Sequence, residues 1–388
     1  MKKWNWSKIL SYTVVALLSV ILTVSVMLGV YVFNQRDVSK LTILEQLIIN
    51  RFIGDVDKTA IEDAAANAMV NALGDRWSYY IPADEYAAYM EQMRNAYVGI
   101  GITITPETDG SIKVVTVTAN GPAEEAGVQV DDVIVKVDGQ SIIGLDLSES
   151  KKLIQGKENS KVQITVVRNG EEHTLEVVRR TIQTPVVKKE LLENNIGLVT
   201  IYNFNTNCAT ETIAAIDDLV TQGAEKIIFD VRNNPGGYAH ELVKVLDYLL
   251  PEGKLFITED YAGNTQTEMS DESFLDLPMA VLVNGNSYSA AEFFAAALNE
   301  YDAAVVVGEK TTGKGYFQST FQLPDGSAVG LSIGKYYTPQ GNSLADVGIT
   351  PQIPVALSEE AAAKLLAGQL APWEDAQLQA AIEALSHS

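Results

Sequence analysis

Cysteine and histidine are nearly missing from this chain: its 388 residues include one cysteine, Cys208, and three histidines. A lone cysteine excludes an internal disulfide, so packing must supply the stability, and Cys208 reads as a small buried core residue. His387 lies in the tail and His173 in a β-rich stretch, which leaves His240 as the one imidazole near a motif. Positive charge is also scarce, with 28 Lys and Arg against 50 Asp and Glu and a net charge of −22. Phosphate backbones need clustered cations, so nucleic acid is excluded as a partner. No cluster of His, Cys and carboxylate stands at metal-ligand spacing and no coenzyme-binding feature occurs, so neither a metal nor a cofactor is expected.

A composition of 47% hydrophobic and 20% charged residues leaves no room for a large disordered region. The length exceeds what one core comfortably fills, which predicts two or three domains. From Ile9 to Phe33 there is no charged residue, and Leu, Val and Ile dominate, enough to cross a bilayer as a helix. Lys2, Lys3 and Lys8 precede this run, and Trp4 and Trp6 sit where an aromatic belt would lie. That pattern predicts a single-pass protein of the cell membrane, its N-terminus cytoplasmic and the remainder on the extracytoplasmic side. A cleaved signal peptide is the competing reading, but the run exceeds the usual apolar region of about 7 to 15 residues and no A-x-A site follows it. The acidic exported part would stand off an anionic lipid surface, so the membrane tethers the protein through this helix.

Helical periodicity over Leu44 to Ile53 and Ile61 to Leu73, with Gly74-Asp75 as a break, predicts a helical lead-in. From Tyr97 to about Thr181 short β-rich runs such as Ile112 to Val117, Val133 to Val137 and Val162 to Val167 alternate with glycine turns, and Arg168 and Arg179 read as exposed strand residues. After Gln183 strands and helices alternate: Ile196 to Tyr202, Thr210 to Leu219, Lys226 to Val231, His240 to Leu249, Met279 to Val283 and Ala290 to Leu298. That rhythm marks an α/β domain. Pro324-Asp325-Gly326-Ser327 joins Phe317 to Leu323 and Ala328 to Tyr337 in a hairpin, and a last helix is expected near Asp375 to Leu385. The resulting partition is 1–36 N-terminus and anchor, 37–95 helical lead-in, 96–182 β-rich domain, 183–356 α/β core and 357–388 C-terminal helical segment.

Three stretches of the α/β part carry chemistry. Asp230-Val231-Arg232-Asn233-Asn234-Pro235-Gly236-Gly237 follows an apolar strand, and its paired glycines can aim backbone N–H groups at a developing oxyanion or simply form a structural turn. In Val283-Asn284-Gly285-Asn286-Ser287-Tyr288-Ser289-Ala290-Ala291-Glu292 a strand feeds a small-residue helix with Ser289 at its start; Ser289 and Glu292 equally spell a capping box. In Gly308-Glu309-Lys310-Thr311-Thr312-Gly313-Lys314-Gly315-Tyr316-Phe317-Gln318 the lysine lies between glycines, and Lys314 and Gln318 share a face if the strand begins that early. A serine nucleophile needs a base; burial that depresses a lysine from about 10.4 toward 7 or 8 would provide one, and Lys314 is placed for it better than His240.

Gly99-Ile100-Gly101-Ile102, Gly121-Pro122-Ala123-Glu124-Glu125-Ala126-Gly127 and Asp131 to Gly139 together resemble a PDZ domain, against the plainer reading of a small β-domain that only packs on its neighbour. The resemblance implies that Gly99, Ile100, Gly101 and Ile102 bind a peptide terminus as an added strand. The three chemical stretches, in their order, resemble the carboxy-terminal processing (tail-specific) serine proteases, whose core is of the crotonase and Clp-type α/β kind. The Ser-to-Lys spacing of 25 fits that family, though Tyr288 stands where a small residue is common and the lead-in matches loosely.

That resemblance implies an endopeptidase with Ser289 as nucleophile, Lys314 as base and Gln318 orienting the lysine. Gly236 or Gly237 with Ala290 would supply the oxyanion hole, acyl transfer would need no metal or cofactor, and substrates would be proteins with exposed C-termini. Helices at both ends suggest a homodimer. Two other readings stand beside this one: a tethered PDZ adaptor with an inert core, in which Ser289 only caps a helix, and a crotonase-type enzyme acting on a thioester.

Overall fold

The computed structural model describes residues 6–35, 39–108 and 110–386 and divides into two units, Met1–Gly74 and Asp75–Ser388. In the first unit a 30-residue helix, Trp6–Gln35, contains the stretch Leu10–Leu28, with mean hydropathy 2.2 and none of it buried. Length and composition thus suit a membrane span. Lys2, Lys3 and Trp4, on which the orientation expectation leans, lie outside the described residues. Two further helices follow. Lys40–Arg51 starts where Ser39 Oγ accepts the Leu41 N–H at 3.2 Å, and Lys58–Asn71 where Asp57 Oδ1 accepts the Ala60 N–H at 3.0 Å. Leu41, Ile43, Leu44 and Leu47 are exposed on the former.

In the second unit a six-stranded sheet carries Ile102–Pro106, Ile112–Val117, Val133–Val137, Lys161–Arg168 and Glu171–Val178 in that order, with Gln140–Ser141 paired to Val133–Val137. Its inward residues, among them Ile112, Val114, Ile134, Ile164, Val166 and Val177, are almost fully buried. The chain enters and leaves this sheet through one antiparallel ladder, Ala96–Gly99 against Arg180–Gln183. The two arginines expected on exposed strands are structural ties instead. Arg179 is buried, and its guanidinium donates to the carbonyls of Leu153, Ile154 and Lys161 and to Ser160 Oγ at 2.7–3.0 Å. Arg168 forks onto the buried Asp132 carboxylate with two bonds of 2.7 Å. Helix-end carbonyls and a buried carboxylate need donors, and the planar guanidinium reaches several at once.

The α/β part is built on a second six-stranded sheet in the order Val187–Leu192, Ile196–Ile201, Lys226–Asp230, Met279–Val283, Ala304–Gly308 and Ile353–Pro354. The last five strands are parallel and the first is antiparallel to its neighbour. Both faces are covered, which is why Met279–Val283 is apolar and buried without alternation. Helices Cys208–Thr221, Ala239–Leu249 and Ala290–Glu300 pack into one core with Phe204, Phe229 and Phe256. Ala376–Ser386 covers the opposite face through Leu378, Ala381 and Leu385. Cys208 is fully buried, as its sequence context suggests.

A further sheet, in the order Tyr79–Ile81, Ala328–Tyr337, Gly253–Asp260 and Thr265–Ser270, with Tyr316–Gln322 also on Ala328–Tyr337, flanks the parallel one. The hairpin at Pro324–Ser327 belongs to it. The pair Gly253–Asp260 and Thr265–Ser270 has no counterpart in the sequence expectations, and the helix Ala83–Arg94 falls within the expected helical lead-in without a stretch of its own there.

Candidate active site

The neighbouring parallel strands Lys226–Asp230 and Met279–Val283 end at the same edge of their sheet, so the turns after them lie side by side, in the crevice where α/β sheets place ligands. Asparagines sew the turns together. Asn233 N–H donates to Asn284 Oδ1 at 2.9 Å, and the amides of Asn284 and Asn286 donate to Asn233 Oδ1 at 3.0 Å. Ser287 Oγ donates to the Val231 carbonyl at 2.8 Å. Ser289 closes the second turn with φ 59° and ψ −126° and is buried. A non-glycine residue held at such angles between a strand and a helix is strained, and strain of this kind collects at reacting groups.

The Gly236-Gly237 turn presses on this serine. Gly236 has φ 87°, and a side chain there would sit 2.7 Å from Ser289 Cβ and 2.9 Å from Ala290 N. A side chain at Gly237 would strike the Phe204 carbonyl. The Gly236 N–H is already donated to Asn234 Oδ1 at 2.8 Å. Among the described residues no partner accepts the Gly237 or Ala290 N–H. Behind the turn, Arg232 is buried and bound to Asp230 at 2.6 and 2.9 Å, to Asp375 at 2.7 and 3.0 Å and to Gln377 at 3.0 Å. The C-terminal segment thereby braces the strand end that carries the glycines.

Lys314 precedes the strand Tyr316–Gln322, and a register shift falls between Phe317 and Gln318. The four-residue spacing therefore does not place Lys314 and Gln318 on one strand face, because the strand starts too late. What positions the lysine is Glu292. This fully buried carboxylate accepts the backbone N–H groups of Ser289 (3.0 Å) and Lys314 (2.8 Å) on Oε2, and on Oε1 the Gly313 N–H (2.7 Å) and the Thr311 hydroxyl (2.5 Å). Glu292 thus does close its half of the capping box, and it also ties the lysine loop to the serine turn. The Lys314 ammonium position lies 4.9 Å from the Trp77 ring centre and 5.7 Å from that of Tyr288. Burial brings its pKa down to about 8 from 10.5, against the opposing pull of the Asp75 and Glu292 carboxylates.

Gln318 Nε2 donates to Ser332 Oγ at 3.0 Å and to the Tyr316 carbonyl at 3.3 Å. Among the described residues neither Gln318 nor Ser289 Oγ is hydrogen-bonded directly to Lys314; catalytic contacts of this sort commonly tighten only with substrate in place. His240 stacks on Tyr238 with ring centres 5.1 Å apart and keeps a 63% exposed side chain. Beside Ser289 a narrow apolar pocket is walled by Ala239, Leu242, Phe256, Phe293 and Tyr336.

Residues 195–355 match the model of peptidase family S41, and residues 98–178 match that of a PDZ domain. The carboxy-terminal processing protease CtpA of Bacillus subtilis is 34% identical over 79% of this chain and 66% of its own length. A probable CtpA-like serine protease of Staphylococcus aureus strain COL is 32% identical over 92% of this chain and 73% of its own. The chain belongs to the S41 peptidases. Its fold is also similar to that of a putative S41 protease from Bacteroides fragilis, with TM-score 0.50 and 17% identity over 87% of this chain and 92% of that one. The photosystem II D1 C-terminal processing protease is 27% identical over 88% of this chain and 92% of its own, with TM-score 0.48.

In this S41 serine peptidase Gly99, Ile100, Gly101 and Ile102 line a cavity of about 420 Å³ closed on its other side by Lys151, Ile154 and Gln155. Ile102–Pro106 is the end strand of its sheet, so one edge remains open to an added strand. Three features around the Ser289 pocket escape the sequence expectations. In sequence Asp75 reads as part of a helix break, with Trp77 unremarked beside it, Glu292 as a cap partner, and the C-terminal Asp375 as an ordinary helix start. The compact Asp75-Arg76-Trp77-Ser78 after the helix break is the available signal for the first pair.

Proposed function

We propose that the chain is a membrane-anchored endopeptidase that takes protein C-termini in its PDZ groove and cleaves by a Ser289/Lys314 dyad on a crotonase/Clp-type core. The observation that carries this reading is the Glu292 clamp, which binds the backbone of the strained serine and of a half-buried lysine into a single pocket. The neutral Lys314 amine accepts the Ser289 proton as Oγ attacks the scissile carbonyl. The developing oxyanion is stabilised by the Gly237 and Ala290 N–H groups, each donor contributing roughly 3 to 4 kcal/mol in comparable sites. Lys314 returns its proton to the leaving amine; the lysine, neutral again, takes a proton from the attacking water and passes it to Ser289 Oγ as the acyl–oxygen bond breaks and the acid departs. Gln318, one strand position past the bulge, orients the lysine once substrate orders the pocket. The apolar pocket beside Ser289 takes a small apolar side chain.

The helix Trp6–Gln35 holds the enzyme in the cell membrane with its catalytic part outside, and the exposed apolar face of Lys40–Arg51 joins two copies, which sedimentation of the detergent-solubilised chain at two concentrations would reveal as a dimer. For catalysis the test is cleavage of an unfolded protein with an apolar C-terminus by the full chain. Ser289→Ala and Lys314→Ala must each abolish cleavage and His240→Ala must not; persistence of cutting in Lys314→Ala removes the lysine from the mechanism.

A further inference from the structure

The segment Asp75–Ser78 opens the second unit immediately before the strand Tyr79–Ile81, whose ladder with Ala328–Tyr337 fixes it in place. Each of its four side chains reaches the catalytic machinery. Trp77 lies 4.9 Å from Lys314 Nζ and 5.8 Å from the Tyr288 ring, so it and Tyr288 form two aromatic walls around the amine. Arg76 donates to the Thr312 carbonyl in the lysine loop at 3.4 Å and stacks on Trp77 with its guanidinium 4.3 Å from the ring centre. Ser78 Oγ donates to Asp75 Oδ2 at 2.6 Å and accepts the Ser332 N–H at 3.1 Å, and Ser332 Oγ accepts from Gln318 at 3.0 Å. Asp75 itself accepts the Trp77 N–H at 3.1 Å, which folds the segment back on itself.

We infer that Asp75–Ser78 is a positioning segment of the active site, in which Trp77 roofs Lys314 and Asp75, through Ser78 and Ser332, holds the strand that bears Gln318. The inference rests on the Ser289/Lys314 reading and adds to it a set of residues that touch neither substrate nor the reacting bond. Physically, the segment does two opposed things to the lysine. The indole excludes water, which disfavours the ammonium, while the face of its ring and the Asp75 carboxylate favour it. The other groups facing the amine are the Glu292 carboxylate from the helix Ala290–Glu300 and the Tyr288 ring from the serine turn; Asp346, on the loop packed against Gly313, is turned to solvent. Dryness prevails over both carboxylates, and the amine remains neutral enough to act as a base.

The two contributions separate by sign in the pH profile of kcat/KM, measured on the full chain in detergent with an internally quenched peptide of apolar C-terminus. Activity rises as Lys314 loses its proton, so the acid limb reports the lysine. Asp75→Asn keeps an acceptor for the Trp77 N–H but removes the charge, so the limb moves to lower pH and activity at pH 6, relative to the plateau, rises about threefold for each half unit. Trp77→Ala admits water and moves the limb upward, with about a tenfold loss at pH 7 that is recovered toward pH 10, while Trp77→Phe stays near wild type. A limb unmoved in both Asp75→Asn and Trp77→Ala, whatever the drop in rate, overturns the inference and leaves these residues as scaffold. If Lys314→Ala itself still cleaves, the dyad reading fails instead, and the two failures are thereby distinguished.

Discussion

Replacing Glu292 by glutamine is the sharpest single perturbation of this pocket, because the substitution preserves shape and changes only what two oxygen positions can do. Each oxygen of the carboxylate now serves two donors: Oε2 the N–H groups of Ser289 and Lys314, Oε1 the Gly313 N–H and the Thr311 hydroxyl. An amide has one oxygen. Whichever way the introduced amide turns, its NH2 meets at least one backbone N–H. The Thr311 hydroxyl cannot fully rescue the contact, since its oxygen already accepts the Ile349 N–H at 2.7 Å. One orphaned buried N–H costs about 1–3 kcal/mol, and the remaining bonds lose roughly half their strength when the charge goes. Relief of the desolvation of a buried carboxylate offsets part of this, so the expected loss is about 2–4 kcal/mol.

Because the orphaned group lies on the serine turn or the lysine loop, the dyad also loses its alignment, and a displacement of about 1 Å lowers kcat by roughly 100-fold. Urea unfolding followed by circular dichroism measures the first effect and single-turnover cleavage the second. Glu300→Gln is the control: Glu300 accepts from Thr338, Gln340 and Asn342 far from the dyad, so it should lower stability and spare kcat. A Glu292→Gln enzyme within about 0.5 kcal/mol of wild type and with full kcat would refute the clamp, since that margin is below the cost of a single orphaned donor.

Three other outcomes follow from the same geometry. The lysine must be neutral to accept a proton and its pKa is about 8 rather than 10.5, so kcat/KM should climb through pH 8; at pH 7 about one lysine in ten is neutral, against roughly one in 3,000 for an ordinary lysine. Ser289→Gly should abolish cleavage yet raise stability by about 1 kcal/mol in thermal unfolding, because glycine accepts φ 59° without strain; Ser289→Ala should be as inactive with no such gain. Arg232→Ala leaves Asp230 and Asp375 buried without their cation and should cost about 3–5 kcal/mol by urea titration, whereas Asp375→Asn, which keeps an acceptor, should cost less.

The elements that could be read from sequence are those with a local cause. Ile112–Val117, Val133–Val137, Met279–Val283 and Ala328–Tyr337 appear with the expected bounds because short apolar runs between glycine turns have few other ways to hide their surface. The pair Gly253–Asp260 and Thr265–Ser270 was illegible because its strands, mostly charged and polar, are held by the ladder to Ala328–Tyr337 rather than by a periodic apolar face. The same division runs through the site. Ser289, Lys314 and the glycine turn announce themselves through neighbours in sequence; Asp75, Trp77 and Asp375 reach it from far along the chain, and their only local marks are a helix break and a helix start.

Local rules also misread two residues in instructive ways. A strand-phase argument paired Lys314 with Gln318 but could not foresee a strand beginning at Tyr316 with a bulge beside Phe317. Capping chemistry explained Glu292 correctly and incompletely: a carboxylate buried at a helix start has four acceptor positions, a cap fills one, and the other three were a reason to look for the lysine loop. A cap partner with no solvent exposure therefore poses a question that capping alone does not answer, namely which distant donors complete it, and in this fold the answer is the loop that carries Lys314.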